Sequence, residues 1–191
     1  MSLDPLPCRP ALLLAGSPGI GKSTVIQRLV ARLGPAAGGF YTSEVRQGGK
    51  RVGFEIVTLA GRRDYLVTAD PAITFVRAAP FGRYRVNLEA IDTFVVPALR
   101  QAAAEDQVVI LDEIGPMELL SPLFGEVVLE LLNGPALIVG TIVQRRHPLA
   151  DLFKTHPRVS LVEVTPANRD QLAAQLYAAI RAAGGKTGIS G

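Results

Sequence analysis

Short, nearly unbroken apolar runs alternate along the chain with segments whose apolar residues return every three or four positions. The runs 11–15, 108–111, 136–143 and 160–164 are each bounded by polar or glycine-rich residues. Strands buried on both faces of a sheet read this way. Helical spacing predicts helices over 22–33, 88–104, 117–132, 148–154 and 166–183. In the third of these, Leu120, Leu123, Phe124, Val127, Val128 and Leu131 form a core-facing stripe. Strands alternating with helices predict a three-layer α/β fold around a mostly parallel sheet.

Local signals refine the boundaries. Thr165 before Pro166 reads as a helix N-cap with proline in the first turn, and Asn87 can cap the helix that follows it. Pro97 predicts a kink or a break inside 88–104, because it lacks an N–H and its ring crowds the preceding turn. One region departs from the alternation. Two β-prone runs, 39–46 and 51–59, flank Gln47-Gly48-Gly49-Lys50, which predicts an antiparallel hairpin inserted into the sheet. The stretch 62–80 shows no period and is expected to be a loop over the ligand site. Four glycines after residue 183 predict a flexible tail over 184–191. One domain over 1–183 is expected.

Composition narrows the class. Of 191 residues, 48% are hydrophobic and 19% charged, a globular balance. No apolar run approaches the roughly 18 residues of a membrane span, and 11–15 is a strand, not a signal peptide. Cys8 is the single cysteine, so neither an internal disulfide nor a cysteine-based zinc site is expected. His147 and His156 are too far apart, each beside a proline, to suggest a shared metal. A reducing, cytoplasmic setting fits both facts. The net charge of +3 is scattered, and serves an anionic ligand or simple solubility equally well.

The first run leads into Gly16-Ser17-Pro18-Gly19-Ile20-Gly21-Lys22-Ser23-Thr24, which matches G-x-x-x-x-G-K-S/T between a strand and a helix. Its glycines let the backbone turn sharply and bring successive N–H groups onto the phosphates of a nucleotide, aided by the positive end of the following helix. Lys22 is placed to bridge the β- and γ-phosphates, and Ser23 to ligate Mg²⁺. The second run ends in Asp112-Glu113, where a sheet edge delivers a carboxylate to the metal. Asp112 is expected to hold Mg²⁺, directly or through water. Glu113 is the candidate general base for a water attacking the γ-phosphate. The alternative for Glu113 is a capping or solvated glutamate in the turn before Gly115-Pro116.

Five segments together resemble the cancer-related, or thermophile-type, nucleoside-triphosphatase family of small P-loop proteins. They are GSPGIGKST at 16–24, GGFYTSEVRQGGKRVGFEIVTL at 38–59, FGRYRVNLEAID at 81–92, LDEIGPMEL at 111–119, and GTI at 140–142 with HP at 147–148. The resemblance implies Mg²⁺-dependent hydrolysis of nucleoside triphosphates of several bases. Gly21, Lys22, Ser23 and Thr24 match the family's phosphate loop, and Asp112 and Glu113 its acidic pair. The family usually carries a lysine where this chain has Pro116. Among Glu44, Arg46 and Arg51 on the hairpin, an arginine either approaches the γ-phosphate or belongs to a solvated charged face. Arg145 and Arg146 are open to the same two readings. Phe40, Tyr65 and Tyr84 are candidate base-stacking groups or ordinary packing.

Two other functions stay open at this point. A small-molecule or nucleoside kinase would use the same loop with an organic acceptor. A nucleotide-gated RNA- or DNA-binding protein would need a basic run with interleaved aromatics, which is missing. No N-K-x-D guanine-reading motif occurs.

Overall fold

The structure is a computed structural model that describes residues 9–185. β1 (Ala11–Ala15) runs through the glycine-rich turn 16–21 into α1 (Lys22–Leu33), both elements as the sequence pattern predicts. β2 (Ala37–Gln47) and β3 (Lys50–Thr58) form the hairpin. Gly48 and Gly49 make its two-residue turn with φ of 56° and 76°, a conformation that side chains with a Cβ resist. β4 (Arg63–Thr68), β5 (Ala78–Phe81) and β6 (Tyr84–Asn87) follow, then α2 (Leu88–Ala90) and α3 (Val96–Ala104). The remaining elements are β7 (Val108–Ile114), α4 (Pro122–Asn133), β8 (Ile138–Ile142), α5 (Pro148–Lys154), β9 (Val159–Glu163) and α6 (Arg169–Ala182).

All nine strands join one sheet in the order β5-β6-β4-β3-β2-β7-β8-β1-β9. The five from β2 to β9 pair in parallel. The other four are an antiparallel extension. The strand carrying the acidic pair is separated from the phosphate-loop strand by β8. Alternate residues divide the core: Leu12, Leu14 and Val139 pack under α1 and α6, while Leu13, Leu111 and Ile138 pack with Phe124 and Leu99 on the other face. The three-layer α/β expectation holds. No helix among the described residues is long and apolar enough to cross a membrane.

Several expectations need correction. The stretch 62–80 is not one loop, because β4 pairs with β3 and β5 begins at Ala78. Arg85 holds the intervening segment from inside, donating to the carbonyls of Asp70 and Ile73. The helix expected over 117–132 is split. A 3-10 turn at Glu118–Leu120 precedes Ser121, which caps α4 by accepting from the Phe124 N–H, with Pro122 in the first turn. Leu120 therefore leaves the core stripe and is 36% exposed. The helix expected from 166 starts at Arg169, and Thr165 is not its cap. Instead the Thr165 N–H donates to the Asn168 side chain.

The break at Pro97 takes the form of a π turn, Ile91–Val95, in which the Val96 N–H reaches back five residues to Ile91. This wide turn joins α2 to α3 beside the residue that cannot complete an ordinary ladder. Asn87 caps α2 as expected, accepting from the Ala90 N–H at 3.0 Å. Of the segment expected as a tail, Gly184 and Gly185 close α6 by donating to Arg181 and Ile180. Residues 186–191 lie outside the described residues, as does Cys8.

Candidate active site

The carboxyl ends of β1, β7 and β8 meet beside the start of α1. Gly21, at φ 111°, turns the chain directly into that helix, which begins with no side-chain cap and no acid in its first turn. Its first N–H groups are thus free for an anion. A Cβ on Gly16 would stand 2.9 Å from the Val164 carbonyl, so the loop lies against the end of β9. Lys22 Nζ folds back onto the Gly16 carbonyl at 3.0 Å. Gly16, Pro18, Gly19, Gly21, Lys22, Ser23 and Thr24 line a cleft of about 850 Å³. Ser17 and Ile20 are not in its lining; Ile20 packs into the core, and Ser17 accepts the Ile20 N–H through its carbonyl.

Asp112 is completely buried behind Ser23 and does not itself line the cleft. Its Oδ1 accepts from Thr141 Oγ1 at 2.7 Å and from Ser23 Oγ at 3.2 Å. Its Oδ2 has no partner, the one such buried side-chain atom among the described residues. An unpaired buried carboxylate oxygen is costly. A hard divalent cation beside the Ser23 hydroxyl would satisfy it, and the oxygen donors suit Mg²⁺. No group of three or more His, Cys, Asp or Glu side chains among the described residues could cage a metal alone. That fits an ion whose remaining ligands come from phosphate and water. Burial pushes the Asp112 carboxyl up, opposed by the Thr141 and Ser23 hydrogen bonds and by Lys22.

Glu113 lines the cleft on the same strand end. Burial raises its carboxyl above the ordinary glutamate range, Lys22 pulls it back, and Asp112 raises it further. A carboxylate made more basic beside a phosphate site is equipped to take a proton.

The family follows from comparison with known proteins. The NTPase family model matches residues 11–177. The chain is 39% identical over 161 residues to the nucleoside-triphosphatase THEP1 of Thermotoga petrophila, covering 84% of this chain and 87% of that protein. It is 38% identical over 174 residues to the human cancer-related nucleoside-triphosphatase, covering 84% and 91%. The chain belongs to the nucleoside-triphosphatase family. The crystal structure of THEP1 from Aquifex aeolicus superposes with a TM-score of 0.77 at 34% identity, covering 87% of this chain and 96% of that one.

The structure sorts the open residues of this nucleoside-triphosphatase. Arg51 and Arg145 line the cleft, whereas Arg46 and Arg146 do not. Arg46 instead bonds Glu44 and the Gly49 carbonyl at the hairpin tip. Phe40 is fully buried edge-on against Phe124 and cannot stack on a base. Tyr65 lies away from the cleft, in a hollow with Phe75 and Phe94. The Tyr84 hydroxyl accepts from Arg51 and Arg83. His147 caps α5, and His156 sits beside Asn133. Pro116 lines the cleft, so the lysine usual at that position is absent from its wall.

Sequence reasoning missed two groups. Thr141 gave no signal beyond the Gly-Thr-Ile segment; its role depends on β8 lying between β1 and β7. Glu118 gave only its place in the LDEIGPMEL segment. Its carboxyl is buried under the turn after β7, with Oε2 2.6 Å from where a Cβ on Gly115 would stand and Glu113 Cδ 3.5 Å from that same point. Burial, then the charge of Glu113, lifts Glu118 to about 8. Phe54 and Phe81 also line the cleft, from the antiparallel extension.

Proposed function

We propose that this enzyme hydrolyses nucleoside triphosphates of several bases to the diphosphate and phosphate in a Mg²⁺-dependent reaction. The observation that carries this reading is the meeting of Lys22, Ser23 and Glu113 on one cleft, with the buried Asp112, its Oδ2 unpaired, directly behind Ser23. The loop N–H groups and Lys22 bind and orient the β- and γ-phosphates. Ser23 and Asp112 would hold Mg²⁺, which when bound neutralises charge on the β- and γ-oxygens. Glu113 accepts the proton of a water in line with the γ-phosphorus as the new P–O bond forms and the diphosphate leaves. Lys22 leaves the Gly16 carbonyl for the phosphate. A cytoplasmic location, where such nucleotides and Mg²⁺ are abundant, fits the reading.

The kinase alternative draws on the aromatic wall of Phe54 and Phe81, which faces the same cleft. Phosphate release with nucleotide and Mg²⁺ alone separates the two, since a kinase needs an acceptor. The assignment of Glu113 is tested by Glu113→Gln. That variant is expected to bind Mg-nucleotide within about twofold of the parent while losing at least ~100-fold in kcat. Lost binding would make Glu113 structural or a metal ligand.

A further inference from the structure

We propose that Arg51 is a catalytic arginine delivered in cis to the γ-phosphate, and that Tyr84 and Arg83 position it. The proposal rests on the hydrolytic reading above and names a residue which that reading does not use. Arg51 and Arg46 are direct cross-strand partners on the hairpin, a like-charge pair that would repel. Glu44 bridges both, lying 2.9 Å from Arg46 and 3.4 Å from Arg51. With that strain relieved, the two arginines take different tasks. Arg46 spends its donors on Glu44 and the hairpin tip, while Arg51 forms part of the wall shared with Lys22, Ser23 and Glu113.

Arg51 is held on several sides. Its Nε–H donates to the Tyr84 hydroxyl at 3.3 Å, and its guanidinium lies 5.1 Å over the Phe54 ring. Arg83 donates both to the Arg51 carbonyl, at 3.0 Å, and to the Tyr84 hydroxyl, at 2.7 Å. The turn between β5 and β6 thereby clips onto the start of β3. Nη1 of Arg51 pairs with Glu44 at 3.4 Å, and among the described residues Nη2 makes no hydrogen bond to protein. What remains for a ligand is the Nη2 edge of a planar group that is fixed at its base, half-exposed and part of the cleft wall. A guanidinium edge held in this way can donate to phosphate oxygens. Preorganised donors stabilise developing charge without reorganising during the reaction. Two cations, Arg46 and Arg51, share one anion, Glu44, so the cluster keeps net positive charge for the ligand. Arg145 also lines the cleft, but among the described residues its guanidinium has no such restraint.

The test compares the parent with Arg51→Ala, Arg51→Lys and Tyr84→Phe, using MgATP turnover, binding of a non-hydrolysable ATP analogue, and trapping of MgADP by aluminium fluoride as a mimic of the transferring phosphoryl group. Arg51→Ala is expected to bind the analogue within about threefold of the parent, lose on the order of 10³-fold in kcat, and fail to trap MgADP. Added guanidinium ion should restore part of the turnover. Arg51→Lys keeps the charge without the planar guanidinium, guards against misfolding of the alanine variant, and should also trap poorly. Tyr84→Phe should lower kcat several-fold with KM unchanged. Parental turnover and trapping in both Arg51 variants would overturn the role of Arg51 alone. Absent phosphate release from the parent would instead overturn the hydrolytic reading.

Discussion

Thr141 on β8 donates its hydroxyl to Asp112 on β7 across 2.7 Å, completely buried at both ends. The bond occupies Oδ1 and leaves Oδ2 unpaired, so β8 orients the carboxylate that faces Ser23. It also counters the burial that would otherwise favour the uncharged acid.

Removing that hydroxyl should weaken the metal more than the nucleotide. Thr141→Val is expected to raise the Mg²⁺ concentration for half-maximal phosphate release about tenfold, as loss of an outer-shell partner typically does. Thr141→Ser should restore it. A titration of turnover against Mg²⁺ checks this, and an unchanged midpoint would leave Thr141 a packing residue.

Glu118 predicts a pH dependence of stability. Its folded value, raised to about 8, lies well above the ordinary 4.5 of the unfolded chain. Between these values the folded state keeps a proton that the unfolded state has lost. This group's contribution is therefore fully present below about pH 4.5 and is lost as pH rises through about 8, by a few kcal/mol. Denaturant unfolding without nucleotide should show Glu118→Gln gaining on the parent across that window. Parallel stability curves would contradict the assignment.

Arg158 predicts a fold defect that spares the chemistry. Its guanidinium donates to the carbonyls of Arg9, Leu131, Leu132, Gly134 and Ala136, joining the end of α4 to the starts of β1 and β8. The Leu131 carbonyl also accepts the Gly134 N–H, whereas the Leu132 carbonyl at the end of α4 relies on Arg158. Arg158→Ala should cost about 3 kcal/mol in denaturant unfolding. Turnover per folded molecule should be close to the parental value.

What the sequence disclosed and what it hid divide along physical lines. The turn from β1 and the bounds of α1 were legible, because they depend on nearby glycines and on helical periodicity. β1, β7 and β8 were legible because burial on both faces leaves continuous apolar runs. Beyond the hairpin, the antiparallel extension was hidden: β4 to β6 are short, lack long apolar runs, and gain their order from pairing and from Arg85. Ser121-Pro122 carried a readable start signal for α4, which the apolar residues before it obscured. The choice of Arg51 over Arg46 was not legible, since the two share a face and differ only in what each guanidinium meets. The irregular register between Val45 and Arg46 adds to that. Glu118 was hidden because burial of a lone glutamate follows from the turn above it.

The central claim is that the Lys22 cleft hydrolyses nucleoside triphosphates. Phosphate release from ATP, GTP and their deoxy counterparts, with Mg²⁺ and no acceptor, tests it directly for the parent and Lys22→Ala. The parent should release phosphate from each nucleotide in a Mg²⁺-dependent way, and Lys22→Ala should lose at least ~100-fold. Equal release by the two proteins would contradict it.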